Sequence, residues 1–174
     1  MLQIGLSGTG GQGLIMAGII LAEAAIIDGK YAIQSQSYGP EARGGSSKAE
    51  VIIDDSAIDY PKVTEADIFL ALSQDSCDKY FSLLKDGGTL IADEMFVKRI
   101  PETENPILVI PITKTAIDKF GNAIFASVVA LGALMQYTGV VSKEALLQAV
   151  LSRVPKGTEE KNRAAVEAGI ALVG

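Results

Sequence analysis

The sequence predicts an α/β fold in which helices flank an open, mostly parallel sheet. Short apolar runs typical of buried strands alternate along the chain with segments whose apolar residues recur at helical spacing. One run, residues 68–72, is apolar at every position, as expected of a parallel strand that is covered on both faces. Neither an internal repeat nor a linker interrupts this pattern, so we interpret residues 1–174 as a single domain.

Six strands are predicted from short apolar runs that are bounded by turn-forming residues. The first ends in small residues, just before a cluster of glycines. The third is closed by Asp54 and Asp55, and the fifth follows a predicted turn at Gly87 and Gly88. The predicted strands are residues 2–7, 31–37, 49–53, 68–72, 89–92 and 107–110.

Five helices are predicted between and after these strands. The first stops at Gly29, because glycine commonly ends a helix. The last three begin after Asn122, Ser142 and Thr158, whose side chains can accept a hydrogen bond from the first helical turn. The predicted helices are residues 14–28, 75–84, 123–137, 143–153 and the chain that follows Thr158.

Composition excludes several classes of function. Apolar residues make up 48% of the chain and charged residues 21%, as in ordinary globular proteins. The net charge of −6 argues against nucleic acid as a partner, because most of the surface would repel a phosphate backbone. No segment reaches the roughly 20 apolar residues that span a bilayer, so we expect no membrane span. The N-terminus lacks the basic residues that begin a secretory signal, so we expect no such signal either.

One cysteine and no histidine narrow the chemistry further. A disulfide within the chain, a zinc site of Cys or His ligands and a four-cysteine iron–sulfur cluster are all excluded. Catalysis by Ser-His-Asp or Cys-His groups is excluded as well. We therefore predict neither a catalytic residue nor a metal ligand, and the lone thiol suggests a reducing cytoplasm. If the chain serves a redox system, electrons must pass through another polypeptide.

A glycine-rich segment, Gly8-Thr9-Gly10-Gly11-Gln12-Gly13, lies between the first predicted strand and the first predicted helix. This spacing is typical of Rossmann-like folds, in which glycines allow close backbone approach and free helix N–H groups face a phosphate. The acid that would bind an NAD ribose is missing from the second strand, and no P-loop lysine follows Gly13. We predict a phosphate-bearing ligand here. The alternative is that the glycines only form a tight turn.

A second glycine-containing loop follows the second strand, at residues 38–46. In an open sheet with parallel strands, both loops leave the same edge, so they are expected to meet around one crevice. Arg43 stands between glycines and is well suited to hold a phosphate through its planar guanidinium. The alternative is an arginine that is simply solvated on an exposed loop.

Together the two loops resemble the gamma subunit, or gamma domain, of 2-oxoacid:ferredoxin oxidoreductases. The resemblance covers nearly the whole chain, and the paired loops carry more weight than the first glycine pattern alone. The matching segments are Gly8-Thr9-Gly10-Gly11-Gln12-Gly13, Ser37-Tyr38-Gly39-Pro40-Glu41-x-Arg43-Gly44-Gly45, the Asp67 strand ending in Ala71-Leu72-Ser73, Leu131-Gly132-Ala133-Leu134 after Asn122, and Lys161-Asn162.

The resemblance implies a subunit that does not catalyse by itself. Enzymes of this family decarboxylate a 2-oxoacid oxidatively on thiamine diphosphate, pass electrons through iron–sulfur clusters to ferredoxin, and form an acyl-coenzyme A. It implies that thiamine diphosphate and the clusters belong to alpha, beta and delta-type partners, while the gamma subunit binds coenzyme A and supports assembly. The sequence as a whole most resembles gamma subunits of the 2-oxoglutarate type. The implied contacts to coenzyme A are Gly8, Thr9, Gly10, Gly11, Gln12, Gly13, Tyr38, Arg43, Gly44, Gly45 and Ser46.

Two rival interpretations stay open at this point. The chain could be a stand-alone nucleotide-binding oxidoreductase of Rossmann type, or a purely structural assembly subunit, and in isolation it could form a homo-oligomer.

Three other features have ordinary explanations in the sequence. Cys77 is interpreted as a packed residue, and Asp93-Glu94 as a cap or a solvated turn. The apolar helix at residues 123–137 is expected to face partly the core and partly a partner.

Overall fold

The computed structural model describes residues 1–38 and 45–174. These residues form six strands and six helices, with four of the helices after the last strand, and two short 3₁₀ turns, Phe81–Leu83 and Ala123–Phe125, join neighbouring elements. The strands are β1 (Leu2–Thr9), β2 (Tyr31–Tyr38), β3 (Ser46–Asp54), β4 (Ala66–Ala71), β5 (Leu84–Asp93) and β6 (Ile107–Ile110). The helices are α1 (Leu14–Ile27), α2 (Gln74–Tyr80), α3 (Ile112–Phe120), α4 (Ala126–Thr138), α5 (Lys143–Arg153) and α6 (Glu159–Val173).

The strands form one sheet in the order β2-β3-β1-β4-β5-β6. β1, β4, β5 and β6 pair in parallel, whereas β3 pairs antiparallel with both β1 and β2. Two reversals leave β2 running in the same direction as β1, so β3 alone runs against the other five strands. The predicted fold class, an open and mostly parallel sheet with flanking helices, is confirmed.

Helices cover both faces of the sheet and create two apolar layers. The larger layer contains inward side chains of β1 and β3, such as Ile4, Leu6 and Val51, with residues of α1, α3, α4, α5 and α6. The smaller layer lies on the opposite face, where Cys77 of α2 packs with Phe69 and the buried residues of β4 and β5. The interpretation of Cys77 as a packed residue is confirmed.

The crossing of α4 and α6 depends on two glycines. A Cβ atom at Gly132 of α4 would collide with the carbonyl oxygen of Val166, and one at Gly169 of α6 would collide with the carbonyl oxygen of Val129. The two backbones therefore approach more closely than any side chain would allow. Nine residues of α4 are buried, from Ala126 to Met135, so this helix belongs mainly to the core.

Several predicted helix starts are confirmed. Ser142 caps α5 through its hydroxyl oxygen, which accepts a hydrogen bond from the amide of Ala145 at 3.1 Å. Asn122 accepts from the amide of Ile124 at 2.9 Å, but the element it caps is the 3₁₀ turn, and α4 begins only at Ala126. Thr158 precedes α6 as predicted. Its hydroxyl donates instead to the carbonyl of Pro155, so the predicted side-chain cap is wrong.

Two further predictions for the middle of the chain are corrected. Gly87 and Gly88 do not form a turn before the fifth strand but lie inside β5, where the pairing with β4 is irregular. A Cβ atom at Gly88 would come within 2.9 Å of the carbonyl oxygens of Ala66 and Asp67, so the glycine marks a close approach of two backbones. The second predicted helix is also shorter than expected, because its last turn is 3₁₀.

The sequence analysis did not predict α3 at all. Its first turn is capped by a distant side chain: the buried carboxylate of Asp93 accepts from the amide of Thr113 at 3.0 Å and from its hydroxyl at 2.7 Å. The sequence indicated that Asp93 caps or solvates the turn after its own strand. Asp93 does end β5, but its buried carboxylate serves a helix that begins far along the chain.

Candidate functional site

The glycine loop connects β1 to α1 at the carboxyl edge of the parallel strands. Gly11 has φ +92° and Gly13 has φ +79°, a backbone region that residues with a side chain rarely adopt. Gly13 also occupies the position that caps α1, where it has no side chain to offer to the first turn. No acidic residue lies in that turn, so the positive end of the helix is left without a negative partner of its own.

The remaining glycines of the loop have different surroundings. At Gly8 a Cβ atom would collide with the side-chain oxygen of Gln12, and at Gly13 it would come within 3.0 Å of Ser127 on α4. At Gly10 it would meet only the carbonyl oxygen of Gly45, 3.9 Å away, and at Gly11 no described atom lies within 4 Å. Gly8 therefore serves packing and Gly13 both packing and its backbone conformation, whereas no side chain of residues 1–38 and 45–174 covers the backbone at Gly10 and Gly11.

Gln12 ties this loop to the neighbouring parallel strand. Its side-chain oxygen accepts a hydrogen bond from the amide of Thr9 at 2.6 Å, and its side-chain nitrogen donates to the carbonyl of Leu72 at 3.1 Å. Leu72 follows β4, so the loop after β1 is held against the loop after β4. The side-chain oxygen of Gln12 and one N–H of its side-chain amide are thus engaged within the protein.

The two glycine loops meet, as predicted. The amide of Gly10 donates to the carbonyl of Gly45 at 3.0 Å, and Thr9 stands opposite Ser46 in the pairing of β1 with β3. Ser46 is buried, with 6% of its surface exposed, so its side chain is an unsuitable first contact for a ligand. The predicted contacts Arg43 and Gly44, like the side chain of Tyr38, lie outside the described residues.

A cleft of about 300 Å³ opens beside the glycine loop. One wall is formed by Thr9 and Gln12, and the others come from the start of α2 and the loop after β5. The lining residues are Thr9, Gln12, Ser73, Gln74, Asp75 and Phe96. The cleft lies at the carboxyl ends of β1 and β4, where open α/β sheets commonly bind ligands.

Four of these lining residues were missed by the sequence analysis. Ser73 directly follows the predicted strand at residues 68–72, so the edge rule for parallel strands could have placed it and its neighbours beside Thr9. Phe96 carried no local signal, because its position depends on Gln74. The side chain of Gln74 accepts from the amides of Lys98 and Arg99 at 2.8 and 2.9 Å and so holds this loop over the cleft.

Serine hydroxyls stabilise the base of the cleft. Ser7 on β1 donates to the carbonyl of Leu70 at 3.1 Å, and it also contacts the hydroxyl of Ser76 at 3.2 Å. Ser73 accepts from the amide of Ser76 at 3.2 Å and thereby caps α2. All three serines are buried, so they mainly hold α2 against the sheet, and only Ser73 reaches the lining of the cleft.

Neither the thiol nor the carboxylates offer obvious redox or metal chemistry. Burial raises the pKa of the Cys77 thiol to about 11, and the nearby Asp78 adds to the effect, so the thiolate is disfavoured. Within residues 1–38 and 45–174, no group of three or more Asp, Glu, Cys or His side chains could hold a metal ion. No helix in the same described ranges is long and apolar enough to cross a membrane.

Comparison with known proteins shows the family. Residues 3–172 match the model of the pyruvate ferredoxin/flavodoxin oxidoreductase family. The chain is 50% identical over 170 residues to the 2-oxoglutarate synthase subunit KorC of Methanocaldococcus jannaschii, which covers 96% of this chain and 91% of that protein. It is 37% identical over 162 residues to the KorC subunit of Archaeoglobus fulgidus, covering 93% and 83% of the two chains.

Solved structures agree with this assignment. The gamma subunit of a keto/oxoacid ferredoxin oxidoreductase from Geobacter sulfurreducens superposes with a TM-score of 0.90 at 50% identity, covering 99% of this chain and 98% of that one. The 2-oxoglutarate:ferredoxin oxidoreductase of Magnetococcus marinus shares the fold at 23% identity, with a TM-score of 0.86 over 99% of this chain and 31% of that one. The similarity to gamma and KorC subunits extends over nearly the whole chain and agrees with the resemblance carried by the two glycine loops. The chain therefore belongs to the pyruvate ferredoxin/flavodoxin oxidoreductase family, as a gamma-type subunit.

Proposed function

We propose that this chain is the gamma subunit of a 2-oxoglutarate:ferredoxin oxidoreductase and that its glycine loop binds the phosphate groups of coenzyme A. The 2-oxoglutarate type is favoured by the relatives, since several chains that match nearly its full length are named 2-oxoglutarate synthase subunits. The observation that carries the binding proposal is the open backbone at Gly10 and Gly11, next to the uncapped start of α1.

The chemistry of the loop suits an anion. Backbone N–H groups in the first turn of a helix point outward and carry the positive end of the helix dipole. Gly13 supplies no side chain to satisfy them, and the first turn of α1 has no acidic residue to compete with a phosphate. A net charge of −6 does not oppose this, because the attraction is local and works at hydrogen-bonding distance.

The second loop would complete the site. The carbonyl of Gly45 accepts a hydrogen bond from the amide of Gly10, so the described end of this loop lies beside the glycine loop. Arg43 and Gly44 are close to Gly45 in sequence, so they remain our proposed phosphate contacts together with Tyr38. Ser46 is buried opposite Thr9, so in this proposal it supports the loop instead of touching the ligand.

The catalytic groups of the reaction would belong to other subunits. The chain has one buried cysteine and no histidine, so thiamine diphosphate and iron–sulfur clusters are proposed to bind alpha, beta and delta-type partners, with ferredoxin as the electron acceptor of the complex. Exposed apolar side chains on α1, namely Met16, Ile26 and Ile27, provide surface that such a partner would cover. A cytoplasmic location stays a prediction.

The topology of the sheet disfavours the rival NAD-binding function. In a dinucleotide-binding fold the ribose acid ends the strand that follows the first helix, next to the glycine loop. Here β3 is inserted between β1 and β2, and β2 ends in Ser37 and Tyr38 without an acid.

Calorimetric titration of the full chain with coenzyme A and, separately, with NAD tests the proposal. We expect saturable binding of coenzyme A alone. Binding of NAD alone would support the nucleotide-binding oxidoreductase, and binding of neither ligand would leave the chain as an assembly subunit.

A further inference from the structure

Gln12 makes contacts that a ligand-binding side chain would not be expected to make. Its side-chain oxygen accepts from the amide of Thr9 at 2.6 Å, and its nitrogen donates to the carbonyl of Leu72 at 3.1 Å. Thr9 ends β1, and Leu72 follows β4 immediately before the serine that caps α2. One amide therefore connects two loops that are 60 residues apart in the sequence.

We infer that Gln12 is a positioning residue, which fixes the glycine loop against the end of β4 and does not itself bind the ligand. The inference rests on the proposed function only where it says what the loop binds. The oxygen and the nitrogen of the amide are both directed at backbone groups of the protein, so displacing them towards a ligand would leave the amide of Thr9 and the carbonyl of Leu72 without these partners.

Gly8 provides independent support for this role. A Cβ atom at position 8 would collide with the side-chain oxygen of Gln12, and it would come within 3.1 Å of Leu14, which is buried. The Gln12 amide thus has room only because residue 8 is a glycine. Gly8 lies within β1 and has no positive φ, so the backbone itself does not require glycine there.

Such a tether matters because of the composition of the loop. Four of the six residues from Gly8 to Gly13 are glycines, and glycine loses more conformational freedom on ordering than any other residue. A loop that is already held in place does not have to be ordered by its ligand, and this strengthens binding. The hydrogen bond from Gly10 to Gly45 holds one side of the loop, and Gln12 holds the other.

The first test compares Gln12→Ala with Gln148→Ala, an exposed glutamine on α5 that serves as a control. Hydrogen–deuterium exchange of the ligand-free full chain should become faster at residues 9–13 in Gln12→Ala and stay unchanged in the control. In the assembled complex, the apparent KM for coenzyme A should rise about tenfold, as expected from the loss of two ordinary hydrogen bonds, while kcat at saturating coenzyme A should hold.

The second test is a double-mutant cycle. Gly8→Ala alone should accelerate exchange in the loop, because the new methyl group displaces the Gln12 amide. In the variant that also carries Gln12→Ala, the methyl group should have a clearly smaller effect, because the collision with the Gln12 oxygen is gone and only the contact with Leu14 remains. If Gln12→Ala cannot be purified, Gln12→Glu replaces it, since a carboxylate keeps the acceptor for Thr9 and lacks the donor for Leu72.

The outcomes separate the two proposals. Unchanged exchange in Gln12→Ala would overturn the positioning role, and a raised KM with unchanged exchange would identify Gln12 as a direct ligand contact, which also overturns it. Faster exchange with an unchanged KM would support the tether and contradict coenzyme A binding by this loop. If Gly8→Ala accelerates exchange equally with and without the Gln12 side chain, the two residues do not act together, and this would contradict the inference.

Discussion

Individual glycines of the candidate site have different surroundings. Gln12 lies against Gly8, and Gly13 combines a positive φ with a close contact to Ser127, whereas no side chain of the described residues lies within 4 Å of a Cβ placed at Gly10 or Gly11. The sequence pattern alone treats all four as equivalent. The difference depends on side chains from α4 and from the loop itself, so only the structure reveals which positions a ligand can approach.

Arg43 is the residue whose role is most directly testable by kinetics. We expect Arg43→Ala to raise the apparent KM for coenzyme A in the assembled complex, because a charge-assisted contact to phosphate contributes about 1.5–3 kcal/mol. Decarboxylation of the 2-oxoacid should persist, since the arginine is not part of that chemistry. Lys156→Ala, at an exposed position before α6, serves as a charge-matched control. An unchanged KM in Arg43→Ala would remove this residue from the site.

Cys77 predicts a dependence of stability on pH. Its pKa is raised from 9.0 to about 11 by burial, so the folded state keeps the proton after the unfolded state has lost it. The protonated thiol therefore contributes to the free energy of unfolding. This contribution is complete below pH 9 and is lost as the pH rises towards about 11, and it is absent from Cys77→Ala.

Urea unfolding of both proteins at about pH 8 and about pH 10.5 measures this effect. The wild type should lose more stability than Cys77→Ala between the two conditions, and its thiol should resist alkylation until the chain unfolds. An equal loss of stability in both proteins would contradict the raised pKa of Cys77.

Among the secondary-structure elements, the α4–α6 crossing is the contact most sensitive to added volume. Gly169→Ala places a methyl group against the carbonyl of Val129, so we expect a loss of about 3 kcal/mol in the free energy of unfolding. Arg163→Ala, at an exposed position on the same helix, should change stability by less than about 0.5 kcal/mol. Denaturant unfolding of the two variants checks the difference, and a Gly169→Ala protein as stable as the control would show that the helices can separate freely.

Local sequence signals predicted most elements, and they failed where a distant contact decides the structure. Ser142 caps the helix that it precedes, and the hydroxyl of Ser142 is found at the predicted place. α3 was missed because its cap is Asp93, which lies 20 residues away from Thr113 in the sequence. Gly87 and Gly88 were read as a turn because nothing local shows that the backbone of β4 passes beside them.

The same distinction holds for the candidate site. Both glycine loops and their meeting at one edge of the sheet followed from the pattern of strands and helices. The cleft beside them did not, because Phe96 lies in a loop whose position depends on distant contacts, among them the hydrogen bonds that Gln74 accepts from Lys98 and Arg99. The insertion of β3 between β1 and β2 was also unpredicted, since strand order depends on pairing between segments that are far apart in sequence.

For the whole molecule, the family assignment predicts a subunit that is active only in a complex. We expect the isolated chain to show no 2-oxoacid oxidation with coenzyme A, thiamine diphosphate and a viologen dye, because it has one buried thiol and no histidine. Addition of the partner subunits should restore activity. Turnover by the isolated chain well above that of a boiled sample would contradict its role as a non-catalytic subunit.

Binding of coenzyme A by Gly10→Ala and Gly10→Val tests the phosphate-binding role of the loop most directly. Gly10 has no positive φ, and among the residues that the structure describes a Cβ atom there meets only the carbonyl of Gly45, at 3.9 Å, so we expect the fold to tolerate both changes. We predict melting temperatures within about 2 °C of wild type and an affinity for coenzyme A that falls at least about tenfold, more for valine than for alanine. Variants that melt like wild type and bind coenzyme A with full affinity would show that the loop is only a turn.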